Sequence, residues 1–172
     1  MNKILVALFC AFALTFMAQA KTVSMHNGGI SFDAPASFVP MPPEYIKIKY
    51  PRGNVPANVL TSDSTETTIA FDLRAKDLPQ SQIEATGKAF ETAFKKVVGG
   101  FILKSNKTVQ LAGQKWMQLE FISNTIDSEV YNIMLITGYK GQMLVFNLNS
   151  TLEEFKKYEP ALRKSIKTIV LK

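Results

Sequence analysis

Apolar positions along this chain follow two rhythms, a two-residue alternation that marks strands and a three-to-four-residue stripe that marks helices. Thr22 to Met25 and Gly29 to Phe32 are short extended runs. His26-Asn27-Gly28 between them predicts a hairpin, because a tight turn needs residues that tolerate positive φ. From Ala34 to Thr61 the rhythm is lost, and six of the eight prolines lie there. Phe38 and Val39 are the core plugs expected within that stretch. In Glu44 to Tyr50, Ile46 and Ile48 alternate with lysines as in a strand, but the preceding Pro42-Pro43 suits a helix start, and a short helix is expected. Asn58 to Thr61 and Glu66 to Ala75 are predicted strands. In the second, Thr67, Ile69, Phe71 and Leu73 share one face, and Thr68, Ala70, Asp72 and Arg74 the other.

Ser81 to Val98 carries the clearest helical stripe, Ile83, Phe90, Phe94 and Val97, with Gly87 allowing close approach. Ser81 and Glu84 form a capping-box pattern, and Gly99-Gly100 supplies a stop. Four strands follow, Phe101 to Val109, Lys115 to Ser123, Glu129 to Tyr139 and Gln142 to Asn149. Trp116, Gln118 and Glu120 fall on one face of the second, while Met117, Leu119 and Phe121 form the expected core face. A last helical region starts at Thr151, with Glu154 repeating the capping pattern and Leu152, Phe155, Leu162, Ile166 and Ile169 as its stripe. Pro160 is expected to interrupt it, with the main helix beginning there. Strands, helix, meander and helix make an α+β domain, an antiparallel β-sheet with helices packed on it.

The first twenty residues change the picture. Lys3, the uncharged run Ile4 to Phe16, and Met17-Ala18-Gln19-Ala20 form the three parts of a cleavable secretory signal. Residues 1–20 are therefore read as a signal peptide, cut after Ala20, and 21–172 as one domain, periplasmic or secreted and without a transmembrane anchor. Leu8 and Phe9 precede Cys10 where a lipoprotein signal has small residues. Cys10 then leaves with the signal, and the domain has no thiol for a disulfide, a nucleophile or a zinc site.

Charge adds little. The net +6 is spread in short lysine clusters with acidic residues between them, unlike the concentrated basic face of a nucleic-acid binder. No nucleic-acid partner is expected.

Candidate chemistry is sparse. His26 is the single histidine and sits in a turn, so no metal site is expected. The nucleophile-elbow and phosphate-loop patterns are absent. The acidic pairs Glu153-Glu154 and Asp127 with Glu129 could serve acid–base chemistry, but helix capping and a turn account for them equally. The proline-stiffened loop from Lys47 to Pro56 combines cationic, aromatic and amide groups suited to a carboxylate, phosphate or sugar. Lys49, Tyr50, Arg52 and Asn54 are its candidate ligand-binding residues, with a purely structural loop as the competing reading. For Trp116 the same choice stands between packing under a helix and acting as a ligand platform.

Four stretches resemble the PsbP-like family. These are Gly29 to Phe38, an opening strand followed by Pro and an aromatic; Thr68 to Phe71, a central strand; Leu111 to Trp116, the turn into a meander; and Thr151 to Ile169, a closing helix. The resemblance implies an α/β/α sandwich around an antiparallel sheet. It transfers no site, since family members bind unrelated partners and most are not enzymes. The expected function is thus a non-enzymatic exported binding or protein-interaction domain, without cofactor, whose partner is another envelope or secreted protein. A small-ligand or envelope-surface binder using residues 47–56 is the alternative, and a carboxylate-based hydrolase a remote one.

Overall fold

A computed structural model describes residues 20–51 and 53–172. The stretch read as an export signal, up to Gln19 and including Cys10, and the candidate residue Arg52 lie outside the described residues. The chain opens with β1 (Lys21–Met25) and β2 (Ile30–Ala34), paired antiparallel from Lys21 opposite Ala34 to Met25 opposite Ile30. His26, Asn27 and Gly28 all take positive φ in the connection, the backbone state the turn sequence anticipates. Next come β3 (Val39–Pro40), α1 (Pro43–Lys49), β4 (Asn58–Thr61) and β5 (Thr67–Arg74). Then follow α2 (Ile83–Val97) and the meander β6 (Ile102–Leu111), β7 (Gln114–Asn124), β8 (Glu129–Tyr139) and β9 (Gln142–Thr151). The chain closes with α3 (Leu152–Lys167) and β10 (Val170–Leu171).

Seven strands form one antiparallel sheet in the order β3-β4-β5-β9-β8-β7-β6, and β1-β2-β10 form a small second sheet. One face of the large sheet is covered by α3 and the small sheet. There Phe32 of β2 meets Phe71 and Phe146 edge-on at 5.1 and 5.3 Å. Leu162 and Ile166 of α3 join the same apolar cluster as Ile69, Ile133, Leu135 and Leu148. Burying each such side chain contributes about 1.5–3 kcal/mol, enough to fix the sandwich. On the opposite face, α2 packs Ile83, Phe90 and Phe94 with Met117, Leu119 and Phe121. At the far end of that face, Ile46 and Tyr50 pack on Met41, Val59 and Ala70. The result is an α+β sandwich.

Four local expectations need correction. Phe38 is buried, but Val39 is 47% exposed, since β3 is a two-residue strand at the edge of the sheet with both residues open to solvent. The Ser81–Glu84 capping box does not form. Pro79 instead starts a single 3₁₀ turn over Gln80–Gln82, which points the Gln80 amide at Thr137 (3.0 Å) and its oxygen at the Lys115 N–H (2.8 Å). Val97 is 78% exposed, and Val98 packs in its place. Pro160 does not break the last helix. It lies on the exposed face, where water can satisfy the carbonyl it leaves unpaired, while Phe155 and Leu162 anchor the helix on either side of it. Of the two readings for Trp116 the packed one holds: it is fully buried in the cluster that α3 joins and donates to the Leu111 carbonyl (2.9 Å), with buried Gln118 and Glu120 on the same face of β7. A central strand covered on both faces is buried on both.

Candidate functional site

Each face of the large sheet carries polar side chains, and their surroundings differ. On the α3 side Glu120 is buried and accepts two hydrogen bonds from Arg163 of α3, at 3.1 and 3.0 Å. Tyr131 donates to it at 2.7 Å, and Gln118 donates as well. Arg163 also binds Glu159 one turn back, at 2.8 Å. Tyr131 stacks on Phe155 with ring centres 4.0 Å apart. Burial pushes the Glu120 carboxyl up, but the Arg163, Tyr131 and Gln118 hydrogen bonds outweigh it and hold the group below its ordinary value. Burial, then the bond to Glu120, pushes the Tyr131 phenol up to about 12. The guanidinium of Arg163 is raised, chiefly by its hydrogen bonds to Glu120. Both carboxylate oxygens are satisfied, so this cluster ties α3 to the sheet and leaves no free acid or base.

The other face has a gap. Paired residues of an antiparallel ladder point to the same side. One row across the sheet is Val59, Ala70, Asn147, Met134 and Leu119, and the next is Thr61, Thr68, Asn149, Asn132 and Phe121. At one end Val59 and Ala70 are covered by Met41, Ile46 and Tyr50. At the other, Leu119 and Phe121 are covered by α2, with Phe94 against Phe121 at 5.3 Å. Asn147 and Asn149 lie between the two covers and are only half-buried. Asn149 donates to Asn132, which donates in turn to Ser123 (2.9 Å) and to the Val130 carbonyl (2.9 Å). The Asn147 carboxamide has no partner among the described residues. Beside Asn149, the Thr68 hydroxyl is fully buried and unpartnered among them. Asp72 follows Ala70 on the same face, half-buried, with only a long 3.9 Å approach from Arg74.

The predicted loop residues border this gap unevenly. Lys49 is the last residue of α1 and is half-buried. It lies three residues after Ile46, on the sheet-facing side of the helix. No described acid pairs with it, and burial pulls its amine down to about 8. Tyr50 rests on Met41, Val59 and Ala70, and burial raises its phenol. Asn54 is exposed. The structure therefore brings Lys49 and Tyr50 to the sheet and leaves Asn54 in solvent. Asn147, Asn149, Thr68 and Asp72 escaped sequence reasoning. Their signal was the run Asn147-Leu148-Asn149, polar at alternate positions in a strand whose neighbours are apolar on both faces.

The carboxylates considered for acid–base work sit elsewhere. Asp127, Glu129 and Glu153 line an open depression of about 480 Å³ with Glu66. All four are exposed. Glu66 accepts from Thr151 (2.9 Å) and Asp127 from Thr125 (3.1 Å), so local hydroxyl bonds occupy these two. Among the described residues, no group of three acidic, histidine or cysteine side chains could hold a metal ion. No described helix is long and apolar enough to cross a membrane.

No family model and no curated protein matches the sequence. Solved structures do. The cyanobacterial PsbP protein CyanoP from Synechocystis superposes with a TM-score of 0.65 at 12% identity, over 92% of this chain and 95% of its own. LpqN of Mycobacterium tuberculosis, involved in cell envelope biogenesis, gives 0.57 at 16% identity, over 89% and 90%. A Pseudomonas aeruginosa protein of unknown function gives 0.56 at 14% identity, over 89% and 97%. Identities this low speak to architecture and carry no site with them. From its sheet order, its two covered faces and these superpositions, the chain has the PsbP-like fold.

Proposed function

We propose that this chain is an exported, non-enzymatic binding domain whose partner is another envelope or secreted protein, docked on α1 and the loop that follows it. The observation that carries this reading is the outer side of α1. Ile48 is 75% exposed, and Tyr45 and Val55 are exposed close to it in the chain. Apolar side chains grouped on the outside of a folded domain mark interaction surfaces more often than isolated ones do. Exposed Lys47 lies between them, so an acidic rim on the partner fits. Residues 1–20 as a signal peptide and the envelope role of LpqN support the compartment. A second apolar patch, Val97, Ile102 and Leu103, borders edge strand β6, whose register shifts between Leu103 and Ser105. A bulge and lysines there blunt strand pairing.

Site-specific photo-crosslinking in the native envelope tests the surface. A crosslinker at position 48 should give one discrete adduct, absent when it is placed at exposed Ile126. An adduct from position 97 instead, or none from 48, overturns the proposal. A second reading, a small hydrophilic ligand held beside the 47–56 loop, is favoured by Lys49, a half-buried amine without a described counter-ion.

A further inference from the structure

We infer that the gap between α1 and α2, floored by Asn147 and Asn149 and bordered by Lys49, is a binding site for a small hydroxylated carboxylate, a sugar acid. The inference rests on the small-ligand reading above, and its failure would leave protein docking at Ile48 untouched.

Three observations select this chemistry. The first is unused hydrogen-bonding capacity. Each carboxamide offers two donors and an acceptor with two lone pairs, yet Asn147 makes no described bond and Asn149 makes one. Beside Asn149 the Thr68 hydroxyl is fully buried without a described partner, so this part of the face carries a polar cost that the protein's own groups do not offset. Such groups match vicinal hydroxyls, which donate and accept in the same way. The second is charge. Lys49 stands at the border as a cation without a described counter-ion, and a charge-assisted bond to a carboxylate is stronger than a neutral one. The third is Asp72 on the same face, held only by the long contact to Arg74. It repels a dianionic phosphate but accepts readily from hydroxyls. An extended peptide fits less well. Strand addition needs a sheet edge, and this gap lies on a face, with β5 and β9 both paired on either side.

The test is a titration of the purified protein followed through side-chain carboxamide and lysine signals by NMR, with glucuronate, glucose and the dipeptide Gly-Gly as probes. Glucuronate should shift the Asn147 and Asn149 carboxamides saturably, with glucose weaker by about tenfold or more, the scale of one added charge-assisted contact. Lys49→Gln should erase that margin while the backbone spectrum stays dispersed. Asn147→Ala should weaken glucuronate and glucose alike. Four results overturn the inference: no saturable shift at roughly 10 mM glucuronate, well above millimolar affinity; glucose binding as tightly; Gly-Gly binding more tightly; or Lys49→Gln binding like the parent. If Asn147→Ala perturbs the fold, the Lys49→Gln arm alone decides.

Discussion

The same β-sheet buries polar groups on both faces, and the two faces handle them in opposite ways. On the α3 side Glu120 has a bidentate guanidinium, a phenol and an amide around it, so every lone pair has a donor. On the α1–α2 side Asn147, Thr68 and Lys49 have no described partner at all. A low-dielectric interior makes a satisfied network rigid and an unsatisfied one costly. The first arrangement is what structure requires. The second is a cost, and the ligand site proposed above would account for it.

Breaking the satisfied network should give the largest effect. Arg163→Ala strands a buried carboxylate and should cost about 3 kcal/mol, the low end for disrupting a buried pair, because Arg163 itself reaches solvent. Urea unfolding measures it. Glu120 also sets a pH window. Its folded value lies below its unfolded one, so its stabilisation is complete above the ordinary carboxylate range and is lost as pH falls through the lowered value. The parent should lose stability steeply in that acidic window. Arg163→Ala should flatten the slope, and an unchanged slope would mean other carboxylates dominate.

Why one face was legible in the sequence and the other was not follows from what alternation encodes. Strand and helix positions, the hairpin turn at His26 to Gly28 and the burial of Phe38 all follow from local pattern. Alternation also separated Trp116, Gln118 and Glu120 from Met117, Leu119 and Phe121. What it could not supply was the second layer. Only the arrival of α3, whose Arg163 lies 43 residues beyond Glu120, covers the polar positions on that face of β7. Candidate residues met the same limit. Lys49 and Tyr50 could be picked from loop composition, whereas Asn147 and Asn149 stand out only because the clusters under α1 and α2 do not include them. Val39, Ser81 and Pro160 went astray for local reasons, since neighbouring backbone choices overrode a propensity that was real.

Lys49 should give the next largest effect, of opposite sign. Its folded value is lowered to about 8 from an unfolded value near 10.5, so below pH 8 both states are protonated and the desolvation cost is fully present. As pH rises from about 8 to 10.5 the unfolded state binds more protons, and stability increases. Lys49→Met keeps the aliphatic stem and removes the charge. It should stabilise the fold by about 1–2 kcal/mol at neutral pH, a discounted share of the desolvation cost. It should also remove the alkaline rise. Thermal unfolding across that pH range reads both, and a destabilised Lys49→Met would show that the amine has a partner after all.

The smallest effect is the sharpest test of the contrast, because it compares adjacent residues of one strand. Thr67 and Thr68 are both fully buried in β5 and point to opposite faces. On the α3 side the Thr67 hydroxyl shares a 2.7 Å hydrogen bond with Ser150, its cross-strand partner. On the other side the Thr68 hydroxyl has none. Valine has the same shape without the oxygen. Thr67→Val leaves Ser150 unsatisfied and should cost about 1–2 kcal/mol, the range for an orphaned buried hydroxyl. Thr68→Val removes a group that is already orphaned, and should be neutral or stabilising by up to about 1 kcal/mol. Paired denaturant midpoints measure the difference, with the denaturant slope unchanged. Equal losses at both positions would mean that Thr68 is satisfied in the folded protein, and the open face would then be as closed as the one that holds Glu120.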